Sequence, residues 1–104
     1  MMLTDEMRQQ IKRAIKLPGE GEVMGVVVET VGGARMRVYC EDNKERLCRV
    51  PGKFRSRMWV KEGDFVVVKP WDIKGDERGD IVYRYRPLEV EYLKELGRLK
   101  WYDG

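Results

Sequence analysis

Five short strand patterns, each closed by a turn signal, predict an all-β fold: a small barrel carrying one C-terminal helix. No strand–helix–strand alternation runs through the chain, which argues against a layered α/β fold. The length, 104 residues, suits one compact domain, and a hydrophobic content of 42% supplies one core.

The elements follow in order. Residues 1–21 are polar and charged, and Ile11, Ile15 and Leu17 are too sparse to mark a core helix. Pro18-Gly19-Glu20-Gly21 then breaks the chain, so the stretch reads as a flexible basic N-terminal arm holding one helical turn at most. Glu22–Thr30 (EVMGVVVET) is a valine-rich strand in which Gly25 predicts a bulge or sharp bend. Val31-Gly32-Gly33 makes a turn. Ala34–Glu41 (ARMRVYCE) alternates, with Met36, Val38 and Cys40 on one face and Arg35, Arg37 and Tyr39 on the other. Asp42-Asn43-Lys44 turns the chain into Glu45–Val50 (ERLCRV), the antiparallel partner, which Pro51-Gly52 ends.

Lys53–Trp59 is a loop with room for a short helix. Asp64–Trp71 (DFVVVKPW) is a strand buried on both sides at its valine centre, with Pro70, which lacks an N–H, at an edge or end. Ile73–Gly79 is a charged loop, and Asp80–Arg86 (DIVYRYR) is the fifth strand. Pro87 fits the first turn of a helix, where Glu89 and Glu91 suit the positive end of its dipole. Leu88, Tyr92, Leu96 and Leu99 form a stripe that docks this helix on its own domain, and Gly97 is the stop signal. The expected division is an arm over 1–21, a barrel over 22–86, and the helix with a short tail over 87–104. Five strands within 22–86 match the OB-fold, a partly open barrel that binds single-stranded nucleic acid through strands two and three and the loops at its ends.

Charge supports that use. The charged fraction is 38%, far above the ~25% of an average domain, yet the net charge is only +3. It is unevenly placed: Ala34–Glu62 holds nine Lys/Arg against four Asp/Glu, whereas Gly63–Asp80 holds three against five. A basic middle in a nearly neutral chain points to a polyanion-binding face. Arg35, Arg37, Tyr39 and Arg49 fall on the outer side of strands two and three. Lys53, Arg55 and Arg57 form a cationic comb leaving its rim. Each cation that neutralises a phosphate releases a counterion, and Tyr39 and Trp59 offer rings on which an unpaired base can stack. For Trp59, between Met58 and Val60, core packing is the competing reading.

Other chemistries find little support. No run approaches the ~20 apolar residues of a membrane span, and no signal-peptide core begins the chain, so a cytoplasmic location is expected. Cys40 and Cys48 are the only cysteines and there is no histidine, so two buried thiols are expected rather than a disulfide or a zinc site. Asp76, Glu77 and Asp80 lack fixed ligand spacing and read as solvated. No nucleophile–base pairing is visible, so no catalytic residue, metal or cofactor is expected.

The run GGARMRVYCEDNKERLCRVPGKFRSRMWVKEGDFVVVKPW, followed by GDIVYRYR and a Leu-Glu-Val-Glu-Tyr-Leu-Lys helix, resembles the archaeal and eukaryotic translation initiation factor 1A family. The likeness covers roughly residues 18–97. It rests on the Arg-Leu-Cys strand, the Pro-Gly-Lys-hydrophobic-Arg-x-Arg run ending in hydrophobic-Trp-hydrophobic, and the Asp-Ile-Val strand, in that order. The resemblance implies an OB barrel, without catalytic activity, that sits in the aminoacyl-tRNA site of the small ribosomal subunit. It further implies help in recruiting initiator methionyl-tRNA with initiation factor two, in subunit dissociation and in start-codon selection. It maps rRNA contact onto Lys53, Arg55 and Arg57, with Arg46 from the Arg-Leu-Cys motif; Arg35 and Arg37 come from strand parity. The chain stops at Lys100-Trp101-Tyr102-Asp103-Gly104 without the long acidic tail of eukaryotic members, as expected of an archaeal form. A monomer is expected. The alternatives are a general single-stranded RNA-binding or chaperone module, and an accessory domain of an RNA-processing enzyme.

Overall fold

The computed structural model describes residues 2–102. They fall into two compact units, one spanning Leu17–Arg84 and the other joining the N-terminal segment through Lys16 to the C-terminal segment from Tyr85.

The first unit is a closed five-stranded barrel: β1 Val23–Gly32, β2 Arg35–Cys40, β3 Glu45–Arg49, β4 Phe65–Pro70 and β5 Arg78–Arg84. Around the barrel the order is β1-β2-β3-β5-β4. All neighbours are antiparallel except β3 and β5, which pair in parallel and complete the ring. Alternation decides what fills it. Met36, Val38 and Cys40 from β2 and Cys48 from β3 meet Val27, Val50, Val66, Val68 and Ile81 in one buried cluster. Both cysteines are free and buried, and β3 sets Cys48 opposite Met36 rather than Cys40.

Three local expectations need correction. Gly25 makes no bulge; it stays in register between Cys40 and Val66. A Cβ there would meet Val38 Cγ1 at 2.5 Å, so close strand approach is what requires glycine. The irregularities of β1 lie further on, between Val27 and Glu29 and between Thr30 and Gly32. The first hairpin turns at Gly33-Ala34, both with φ near +60°, a two-residue loop whose twist matches that of its strands. β5 begins at Arg78 rather than Asp80, because Gly79 passes within 2.6 Å (Cβ position) of Val68 Cγ1 while pairing Cys48.

The second unit holds two helices, α1 Asp5–Ala14 and α2 Pro87–Glu95. Here the arm expectation is corrected: ten residues are helical, not one turn. The Thr4 hydroxyl accepts a hydrogen bond from the Met7 N–H at 3.1 Å, Asp5 and Glu6 occupy the first turn, and Lys12 and Arg13 occupy the last. Arg8 then bonds Glu95 of α2 at 2.7 Å, a partner invisible from local sequence. Contact with α2 supplies what a short, sparsely apolar helix lacks on its own.

In α2 the Glu89 carboxylate accepts from the Arg86 N–H at 2.8 Å and caps the first turn. The end is a Schellman motif: Gly97 has φ +74°, its N–H bonds the Lys94 carbonyl, and the Arg98 N–H bonds the Leu93 carbonyl. Gly97 is thus the stop, as its position predicts. The expected stripe is corrected, since Leu88 and Leu96 are exposed and the buried residues of the helix are Glu89 and Leu93; Leu99, beyond it, is buried. Residues 103 and 104 of the expected tail lie outside the described residues.

Candidate nucleic-acid interface

The outer face of β2 carries Arg35, Arg37 and Tyr39, all away from the barrel cluster, as alternation requires. Their freedom differs. Arg37 bonds Glu29 at 3.0 Å and Glu45 at 3.3 Å, so its charge is shared between two carboxylates. The Tyr39 hydroxyl donates to Asn43 at 2.8 Å across the hairpin turn. Arg35 is exposed, and Arg49 of β3 stands directly opposite it. Arg49 is tied to Asp80 of β5 at 3.1 Å.

The comb is built by the β3–β4 connection. Gly52–Phe54 is a 3-10 turn, and Phe54, Met58 and Val60 pack on the barrel cluster. Those three anchors leave Trp59 pointing outward at 83% exposure, which rules out the core-packing reading. Lys53, Arg55 and Arg57 are all exposed. The Lys53 ammonium rests 5.1 Å from the Phe54 ring centroid, and Arg55 Nε donates to the Val50 carbonyl at 3.1 Å. Behind Trp59 lies a hollow of about 340 Å³ lined by Met36, Val50, Arg55 and Met58 among others.

Arg46 departs from expectation. It is 3% exposed, on the inner side of β3 with Cys48, and its guanidinium grips Asp42 through two bonds of 3.0 and 2.8 Å while donating to the Gly75 carbonyl. A side chain so buried and engaged pins the β2–β3 turn to the β4–β5 loop instead of meeting RNA. The signal was present: Arg46 shares parity with Cys48, not with Arg49, and Asp42 precedes it by four. The Arg46 hydrogen bond holds the Asp42 carboxyl below its ordinary value of 3.8.

Sequence reasoning also missed Trp71. Its indole N–H donates to Asp80 at 2.9 Å, and the Arg49 guanidinium lies 5.4 Å from its ring centroid. Asp80 is therefore paired rather than solvated, and Asp76 bonds Lys44 at 2.8 Å. Among the described residues, no group of cysteines and carboxylates is placed to hold a metal ion, and no helix is long and apolar enough to cross a membrane.

A closed barrel with this strand order defines the OB-fold class. Comparison narrows the class. The profile of the Translation initiation factor 1A / IF-1 family matches residues 12–101. Translation initiation factor 1A of Methanopyrus kandleri is 47% identical over 84% of this chain and 78% of its own length. That of Pyrococcus abyssi is 46% identical over 82% and 75%. Among solved structures, the bacterial-type translation initiation factor one from the Wolbachia endosymbiont strain TRS of Brugia malayi superimposes with a TM-score of 0.51 and 31% identity, covering 64% of this chain and 78% of that one. The chain belongs to the translation initiation factor 1A / IF-1 family. That family is ribosome-associated and non-enzymatic, and these two full-length relatives are archaeal, in keeping with the archaeal form expected from the sequence.

Proposed function

We propose that this protein binds the small ribosomal subunit at its aminoacyl-tRNA site through the outer face of β2 and β3 and the comb beyond it. From there it promotes recruitment of initiator methionyl-tRNA together with initiation factor two, subunit dissociation and start-codon selection. Arg35, Arg37 and Arg49 lie along the face, with Tyr39 beside them, and Lys53, Arg55 and Arg57 extend it around an exposed Trp59. The protein works in the cytoplasm as a monomer: the ring of strands closes, leaving no edge to template pairing with a second copy. The N-terminal helix, with Arg8 committed to Glu95, presents Lys12 and Arg13 as further cations near its end.

The observation that carries this reading is the Lys53–Arg57 loop, where apolar anchors bind the loop to the barrel while every cation and the indole face solvent. Such a rigid cationic rim meets folded RNA by neutralising phosphates, and Trp59 adds a stacking surface. Footprinting on small subunits tests it, comparing the chain with a Lys53→Ala, Arg55→Ala, Arg57→Ala variant. Protection at the aminoacyl-tRNA site is expected to disappear with the barrel intact, and the log–log salt slope of binding to fall by about one per cation removed. Unchanged protection would take the comb out of the mechanism.

The exposed Trp59 also favours a second reading, a general single-stranded RNA-binding module. Equal affinity for free oligonucleotides and for intact subunits would select it.

A further inference from the structure

Four neighbouring strands place one row of ionic side chains across the barrel. Arg35 of β2 stands opposite Arg49 of β3, Arg49 opposite Asp80 of β5, and Asp80 opposite Lys69 of β4. Residues directly opposite share a face, so the row reads cation, cation, anion, cation. Two arginines facing each other repel. Asp80 relieves only Arg49, at 3.1 Å, and Arg35 makes no ion pair among the described residues. Such an uncompensated row calls for an anion from outside.

Trp71, just past β4, completes it. Its N–H is fixed on Asp80 Oδ1 and its ring lies under the Arg49 guanidinium, yet the residue is 39% exposed. Arg49, Lys69, Trp71 and Asp80 border a hollow of about 350 Å³. Asp72 borders it too, and two carboxylates there disfavour a phosphate inside.

Resting on the RNA-binding reading above, we propose that this row seats one unpaired RNA nucleotide, its base stacked on Trp71 and its flanking phosphates drawn to Arg35 and Lys69. Asp80 is the positioning residue. It holds the indole by its N–H and neutralises Arg49, so that this guanidinium braces the ring while Arg35 and Lys69 meet the backbone.

The test is equilibrium binding of the full chain to purified small ribosomal subunits at two salt concentrations, with thermal unfolding as the check on folding. Trp71→Ala is expected to weaken binding about tenfold with its salt slope unchanged, because a stacked base is lost and no cation is. Trp71→Phe retains a ring and is expected to keep most of the affinity. Lys69→Gln is expected to lower the slope by about one; should Trp71→Ala fail to fold, this exposed substitution decides. Equal losses in Trp71→Ala and Trp71→Phe would mean that the indole only braces Asp80 and would overturn the seat. So would undiminished binding and slope in all three variants beside a strongly bound unaltered chain. Failure of the unaltered chain to bind subunits at all is a different result, which brings down the ribosomal reading first.

Discussion

Arg46 shows how burial reassigns a charged residue. A guanidinium in the barrel wall is tolerable only with its charge answered, and Asp42 answers it with two bonds. Asp42→Asn leaves that cation buried and unpaired. The expected cost is about 2 kcal/mol, below that of a fully buried pair because the Asp42 side chain is 31% exposed. Urea unfolding at neutral pH measures it. The pH dependence follows from a carboxyl held below 3.8 in the folded state. The stability it contributes is present above the unfolded value and lost as acid takes the pH down through the folded one. The variant should lose that acid-side decline, and a variant as stable as the unaltered chain would show that the pair contributes nothing.

Among elements, β1 is set by proximity more than by propensity. Gly25 lies where a methyl group would strike Val38 Cγ1 at 2.5 Å and approach the Tyr39 carbonyl at 3.2 Å. Gly25→Ala should therefore overpack the β1–β2 pair and destabilise by about 1–3 kcal/mol, read as a lower midpoint in thermal unfolding. A neutral or stabilising effect would mean that the two strands separate freely. In α1, by contrast, an N-cap and an ion pair to a distant helix raise a sparsely apolar segment into ten helical residues. Its weak apolar pattern hides that outcome from a reading confined to neighbours, because the stabilising partner is Glu95.

The molecule as a whole keeps its reactive sulfur inside and its cations outside. Burial pushes the Cys40 thiol up to about 11 and Cys48 up to about 12 from the ordinary 9.0. Unfolded thiols ionise first as pH rises, so the unfolded state holds fewer protons between about pH 9 and 12 and stability falls through that window. A Cys40→Ala, Cys48→Ala variant is expected to lose stability less steeply over the same range. At pH 8 both native thiols should resist alkylation until denaturant opens the barrel. Rapid modification of the folded chain would contradict the closed core.

By itself the sequence determined the fold class, the five strands and the faces of β2, because alternation of Met36, Val38 and Cys40 with Arg35, Arg37 and Tyr39 needs only the two-residue period of a strand. Gly97 and Pro87 marked their helix ends for equally local reasons, a left-handed cap and a missing N–H. It also located the comb. Tertiary structure alone decided which of the singled-out residues can reach a ligand. Trp59 faces out because Phe54, Met58 and Val60 take the inward positions, Arg46 is withdrawn by Asp42, and Arg35, Arg49, Asp80 and Lys69 align only through the register of four strands. Charges brought opposite one another by pairing between distant segments leave no periodic trace along the chain.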